Sequence, residues 1–382
     1  MRKLFRLFIC VFFTAVFLTS VFPKQASSAR LPDTGQMRSY TTTFGEDSDY
    51  IINPPSYTKL DESGSILPDS ATLWSMVRDN NTGLIWEIKT SDGSIQDRDN
   101  TYNWSDAQDV FITGLNNSGF GGFSDWRLPN PKELLSIVHY DSYHPAINSL
   151  YFPNTHESPD PGDWAHHWTS TTAAFNDSRA WHVIFDGGAS HDNFKSNDFC
   201  ARAVRGDEFT SNLVDNGDGT ISDTATKLIW EQKTDDGGPN DKDNMYTWEE
   251  ALAWVATLNN SQYLGYDDWR LPNIKELQSI VDFSQSPAID FAYFQNTQWK
   301  GREAYWSSTS LAVNPNYAWV VGFDYGYVDY SWYTTGKLDT SYVRAVRTIP
   351  EPVPEPSTML LLGLGIAGLA AFRWSSKKEG NR

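Results

Sequence analysis

The chain repeats itself at domain scale, and this limits what it can fold into more than any other feature. The run from Thr82 to Glu87 (TGLIWE) returns from Thr226 to Glu231 (TKLIWE). Asp97–Trp104 returns as Asp241–Trp248, and Asp125–Asn130 (DWRLPN) as Asp268–Asn273. Trp168–Thr171 returns as Trp306–Thr309, and Arg202–Arg205 (RAVR) as Arg344–Arg347. The offsets are 144, 144, 143, 138 and 142 residues. A period of that size is a domain and not one unit of a solenoid. Two related domains are therefore expected, at 66–206 and 207–348, with the polar, Pro-containing residues 30–65 as a leader or linker.

Each repeat carries two helix signals. Thr247 precedes Trp248 and has Glu250 three positions on, a capping box. Apolar residues then fall at Trp248, Ala251, Leu252, Val255 and Leu258, one helical face. The matching segment runs from Asn103 to Leu115. A second helix is predicted after each WRLP run, with Asn130 and Asn273 as N-caps and Glu133 and Glu276 at the third helical position. Strands are predicted at Ala180–Phe185 and Ala318–Phe323, and Arg202–Arg205 is read as a closing strand. Helices early and short strands with long loops late give an α+β class.

The two ends read as addresses. Residues 1–29 combine basic Arg2, Lys3 and Arg6, an apolar run from Leu7 to Phe22, and small Ser27 and Ala29, the pattern of a secretory signal peptide. At the other end Pro354, Glu355 and Pro356 precede an apolar run from Met359 to Phe372 and basic Arg373, Lys377 and Lys378. This order resembles the PEP-CTERM sorting signal, here 349–382. The resemblance implies signal peptidase and exosortase as processing partners, and export to the surface or extracellular matrix of a Gram-negative bacterium. Basic residues held on the cytoplasmic side would keep the apolar tail transiently in the inner membrane as a transmembrane helix, so the membrane is met only through the terminal segments. Gly363, Gly365 and Gly368 match a dinucleotide fingerprint, but no strand precedes them and no βαβ unit surrounds them.

The set TGLIW, WRLPN with its following Glu and Leu, WTST and RAVR resembles the Lcl C-terminal domain family. Through its WRLP segment it is also similar to C-type-lectin-like folds, so the resemblance implies two tandem C-type-lectin-like domains. A collagen-like bacterial adhesin whose head is of this family trimerises and binds sulfated glycosaminoglycans. This chain has no Gly-X-Y stalk. It is also acidic, with 30 Lys and Arg against 48 Asp and Glu and a net charge of −18. Removing both ends takes away eight bases and one acid and leaves −25. Such a charge excludes a general nucleic-acid binder, which needs cations to neutralise phosphates.

Several constellations invite chemistry. Asp97 and Asp99, and again Asp241 and Asp243, place oxygen donors in a loop before a helix, where calcium would suit them; a solvated turn is the plainer reading. Otherwise no cofactor is expected. All seven histidines lie in the first repeat, and His166, His167 and His191 are a metal candidate without a recognised spacing. Ser190, His191 and Asp192 are consecutive, which a converging triad avoids. From Tyr317 to Tyr333 there are eight aromatics in 17 residues. Tyr325, Tyr327, Tyr330, Trp332 and Tyr333, with Asp324 and Asp329 among them, are the candidate ligand-binding residues. Rings stack on sugar faces, and carboxylates accept hydroxyl hydrogen bonds. The repeated Trp126, Trp269, Arg127 and Arg270 are read as structural.

The sequence therefore leads to an exported, non-catalytic surface or matrix protein, with adhesion or polysaccharide binding as its task. A purely structural matrix role, through assembly with other proteins, is the first alternative. A glycan hydrolase is the second, and it would need a pair of carboxylates in a cleft.

Overall fold

The computed structural model describes residues 30–156, 165–301, 304–330 and 335–350. The expected signal peptide, Pro354, Glu355 and Pro356 with the tail behind them, and Trp332 and Tyr333 lie outside these residues. Among the described residues no helix is long and apolar enough to cross a membrane.

In the first repeat the strands are β1 (Tyr57–Leu60), β2 (Met76–Asp79), β3 (Ile85–Glu87), β4 (His166–Thr172), β5 (Arg179–Ile184), β6 (Ala189–Phe194) and β7 (Val204–Arg205). The second repeat has β8 (Leu213–Asp215), β9 (Thr220–Asp223), β10 (Leu228–Glu231), β11 (Met245–Tyr246), β12 (Tyr305–Ser310), β13 (Ala318–Gly322), β14 (Tyr327–Asp329), β15 (Ser341–Tyr342) and β16 (Val346–Thr348). Short strands, long loops and few helices make both repeats α+β, as the sequence indicates.

The predicted helices form where their caps place them. Helix α1 (Trp104–Asp106) starts on Asn103, whose side chain accepts the Asp106 N–H at 2.9 Å. It passes through a π-helical stretch, Ala107–Ile112, into α2 (Thr113–Ser118). The wider turn carries the adjacent Phe111 and Ile112 both into the core. Its counterpart α4 (Trp248–Asn260) is unbroken. The helices after WRLP are α3 (Pro131–Ser136) and α5 (Ile274–Ser279). Asn130 accepts the Glu133 N–H at 2.9 Å while Glu133 accepts the Asn130 N–H at 2.9 Å. Asn273 and Glu276 do the same at 2.9 and 3.0 Å.

The repeated motifs are explained by what they tie together. Two four-stranded sheets, β1-β2-β3-β7 and β8-β9-β10-β16, each close a repeat on itself. In them the RAVR strand pairs with the LIWE strand, Trp86 opposite Val204 and Trp230 opposite Val346. The first Arg of each RAVR run is buried and donates to the LIWE strand, Arg202 to the Glu87 carbonyl at 3.0 Å and Arg344 to the Glu231 carbonyl at 2.7 Å. The last Arg reaches the Asp of DWRLP, Arg205 to Asp125 at 2.7 Å and Arg347 to Asp268 at 2.6 Å. Arg127 and Arg270 make forked pairs with Glu133 and Glu276. Trp126 and Trp269 are buried.

The two repeats share one sheet, in the order β11-β15-β12-β13-β14-β6-β5-β4. It is joined at β14–β6, where Val328 pairs with Ser190. These two residues are equivalent, so the junction lies on an internal two-fold axis. Other contacts obey the same symmetry. Lys132 of α3 donates to the Ser279 carbonyl of α5 at 2.7 Å, and Lys275 of α5 to the Ser136 carbonyl of α3 at 2.7 Å. Tyr140 packs edge-on to Trp319 with ring centres 4.9 Å apart, and its equivalent Phe283 packs on Trp181 at 4.9 Å. One hydrophobic cluster runs through both repeats. The pair is built like a homodimer with an isologous interface, contained in a single chain.

Residues 30–65 correct the expectation of a leader or linker. Strand β1 pairs with β2, so the first repeat starts before residue 66. The residues ahead of it cross to the second repeat and bury Thr34, Gln36, Glu46 and Asp47 there. Polarity suggested a solvated segment, but these polar groups are buried with partners, which satisfies them as water would.

Candidate functional site

The internal symmetry creates two equivalent sockets, one at the start of each helix after WRLP. In the second repeat the leader fills its socket. Asn273 donates to the Asp33 carboxylate at 3.2 Å, and Lys275 to the Asp33 carbonyl at 2.9 Å. The Tyr140 N–H from across the seam donates to the Thr34 carbonyl at 3.0 Å. The Thr309 hydroxyl donates to Asp47 at 2.6 Å, and the Ser310 hydroxyl to Glu46 at 2.6 Å. Gly35, at φ +84°, passes so close to His139 that a Cβ there would sit 2.5 Å from the ring. Burial, with Asp33 nearby, pushes the Asp47 carboxyl up to about 8, and burial draws the Lys275 ammonium down to about 8.

In the first repeat the equivalent socket is only partly filled. The connection between repeats gives Asn130 the Glu208 carboxylate at 3.2 Å and Lys132 the Ser211 hydroxyl at 3.1 Å. It has no counterpart to the leader's longer excursion. What remains is an open cleft of about 580 Å³, with Asn130, Thr171, Asn212, Asp282, Phe283, Asp290 and Tyr293 in its walls. Asp282 accepts from the Ser284 N–H at 3.0 Å and the Gln285 amide at 2.7 Å. These residues come from both repeats, so no local motif announces them. The signal that finds them is divergence: Asp282 stands where the first repeat has His139, and Asp290 where it has Asn148.

The aromatic stretch divides between seam and surface. Tyr327 donates to Asp192 at 2.5 Å and stacks on His191, and its ring lies 5.4 Å from Trp181. Tyr330 packs on Trp319, and Asp329 is buried beside His191. Asp324 is half-buried, and its carbonyl accepts from the Ser286 hydroxyl. Tyr325 is 40% exposed and pairs edge-on with Phe175, 36% exposed, at 4.6 Å. The turn between Tyr325 and Tyr327 lies against the cleft wall, since a Cβ on Gly326 would meet Val281 at 2.8 Å. A row of rings, Phe283, Trp181, Tyr327, Tyr325 and Phe175, thus links the cleft to the exposed pair.

The aspartate loops behave as staples. The Asp97 carboxylate accepts the Gly93 and Asp99 N–H groups at 2.6 and 2.9 Å, and Asp241 accepts those of Asp236, Gly237 and Asp243 at 2.7, 2.7 and 2.9 Å. These donors hold both carboxyls below the usual range. Asp235, Asp241 and Asp243 gather closely enough for one cation. Lys242 is already there, donating to Asp235 at 2.8 Å and Asp243 at 2.9 Å. The first repeat has Ser91 in place of Asp235, and its Asp99 meets His156 at 3.2 Å. Of the histidines, His166 and His182 meet at 3.1 Å, while His167 turns to Phe185.

Among curated proteins none matches the chain. Residues 349–377 match the PEP-CTERM protein-sorting motif, which implies exosortase processing, export and membrane-associated sorting at the cell envelope. Residues 75–205 and 219–347 each match the Lcl C-terminal domain. These two matches cover well over half of the chain, which therefore belongs to the Lcl C-terminal domain family, in tandem and with a PEP-CTERM signal behind it.

Proposed function

We propose that this exported protein is a non-catalytic polysaccharide-binding component of the cell surface or extracellular matrix, built on C-type-lectin-like repeats. The observation that carries the reading is the open cleft with its aromatic rim. Hydroxyl, amide and carboxylate side chains at Thr171, Asn212 and Asp290 match sugar hydroxyls, and the exposed Phe175–Tyr325 pair gives a stacking face. Catalysis is disfavoured because both oxygens of Asp282 are engaged by Ser284 and Gln285, which holds the group in place instead of readying it for proton transfer. Calcium is not part of the reading, since Lys242 already bridges Asp235 and Asp243.

A second reading, assembly with other matrix proteins, draws on the leader's outer face, where Met37, Phe44 and Ile51 are 70, 70 and 67% exposed. Binding of residues 30–350 to the producing cell's own polysaccharide, with calcium and then with EDTA, separates the two. Equal binding in both buffers, weakened about tenfold by Tyr325→Ala (about 1.4 kcal/mol), supports the cleft. Absence of binding in both buffers, together with self-association lost on Phe44→Ser, supports assembly.

A further inference from the structure

The filled socket shows what its open twin is shaped to accept. At the leader's socket the Tyr140 N–H holds an amide carbonyl, that of Thr34, at 3.0 Å. Tyr140 is equivalent to Phe283, which lines the open cleft, and among the described residues nothing accepts the Phe283 N–H. Likewise Thr309 donates to the Asp47 carboxyl at 2.6 Å, whereas its equivalent Thr171 has no side-chain hydrogen bond among the described residues. The open cleft therefore keeps a donor where an amide carbonyl belongs and a hydroxyl where a second polar group belongs. An N–H left without a partner in a partly desolvated wall favours a ligand that supplies the acceptor.

The charges differ between the twins in one direction. The leader's socket has His139 and Asn148 where the cleft has Asp282 and Asp290, and Glu208 adds a third carboxylate. Lys132 also lines the cleft, with its ammonium engaged by the Ser211 hydroxyl and the Ser279 carbonyl, so three carboxylates stand against one ammonium. A uronate or sulfate entering the cleft would meet like charge in a setting less screened than open water.

Building on the polysaccharide reading, we infer that the cleft selects N-acetylated amino-sugar units and rejects anionic sugars. The acetamido carbonyl takes the place of the Thr34 carbonyl at the Phe283 N–H. Its methyl group lies on Val281 and Phe283, and the ring hydroxyls meet Thr171 and Asp290. The exposed Tyr325 and Phe175 rings, at the outer end of the row, favour a sugar chain over a peptide strand as occupant, because they give a face on which a pyranose ring stacks.

The test uses residues 30–350 labelled with ¹⁵N-phenylalanine and titrated separately with a tetramer of N-acetylglucosamine, a tetramer of glucose and a tetramer of galacturonate. The expected result is at least tenfold tighter binding of the N-acetylated tetramer than of the glucose tetramer, a shift of the Phe283 amide signal, and no binding of the uronate. The double variant Asp282→His with Asp290→Asn, which copies the filled socket, should admit the uronate. Equal affinity for the two neutral tetramers, or binding without a Phe283 shift, overturns this inference and leaves polysaccharide binding standing. Failure of the native polysaccharide to bind in the preceding experiment overturns both. A synthetic peptide of residues 31–49 that binds the cleft more tightly than any sugar identifies a peptide groove and overturns the amino-sugar assignment.

Discussion

The two sides of the seam started as the same surface and have been put to different uses. On one side the chain's own leader lies across the start of α5, with Glu46 and Asp47 buried against Ser310 and Thr309. On the other, α3 faces a connection too short to reach across, and a cleft stays open. In a symmetric dimer of single repeats both sides would be filled or both empty. Fusion into one chain lets the sides diverge, since a residue near one socket no longer appears at the other. The replacement of His139 by Asp282 is a change of that kind.

The two sides are expected to differ most at their forked Arg–Glu pairs. Arg270 and Glu276 are both 5% exposed beneath the leader, while Arg127 is 30% exposed. Arg270→Met strands a buried carboxylate and is expected to cost about 3–5 kcal/mol. Arg127→Met should cost less than half as much: Glu133 is buried, but Arg127 is partly exposed, so water can enter the space its guanidinium leaves, and the Phe209 N–H still donates to the Glu133 carboxylate. Chemical denaturation of both variants checks this, and equal losses would mean that the leader does not seal its socket.

The next effect is in pH. Asp47 has its carboxyl pushed up to about 8 by burial and by Asp33, itself raised to about 6, with Glu276 also facing it. A raised carboxyl contributes stability at low pH and loses it as pH rises through the folded value. Lys275, drawn down to about 8 by burial, acts in the opposite sense: its contribution is present at high pH and is lost as pH falls through about 8. Stability should therefore decline from about pH 4 towards pH 8 and recover above it. Asp47→Asn, which keeps an acceptor for Thr34 and Thr309, should flatten the declining limb in thermal melts. An unchanged slope would remove Asp47 as its source.

A smaller effect of opposite sign is expected at Gln278. Its side chain is fully buried and neither amide atom has a partner among the described residues, whereas the first repeat has Leu135 at the same place. Gln278→Leu should stabilise the protein by about 1–2 kcal/mol, read from the denaturation midpoint. The smallest effect is at the aspartate loop. Asp235→Ser copies Ser91 of the first repeat and should change stability by less than about 0.5 kcal/mol, with no calcium dependence before or after the change. A calcium-induced rise in melting temperature in the wild type, lost in the variant, would reinstate a cation there.

Much of the fold was legible because it is locally encoded. The caps at Asn103, Asn130, Thr247 and Asn273 need only a few neighbouring residues, and all four start helices as read. The duplicated motifs announced two domains. What sequence could not supply was the two-fold axis. Pairing of Val328 with Ser190, and the exchange of Lys132 and Lys275 between α3 and α5, join residues about 140 positions apart with no local signal. For the same reason alternation along one hairpin, which implies only that some of the ring surface is exposed, gives no sign that Trp319, Tyr327 and Tyr330 meet the first repeat. Tyr325 stays exposed because it lies at a turn, where no partner strand covers it. The leader misled in the other direction, since polar composition implies solvent unless partners from another repeat satisfy it.

The most direct test of the account is hydrogen exchange on residues 30–350, alone and with saturating N-acetylated tetramer. In the free protein the buried, hydrogen-bonded amides of Asp33, Thr34, Gln36 and Glu46 within 31–49 are expected to exchange as slowly as the core, and ligand is expected to add protection at 208–213 and 280–293 while leaving 31–49 unchanged. Rapid exchange of 31–49 in the free protein, or ligand protection appearing there instead of at the cleft, would contradict it.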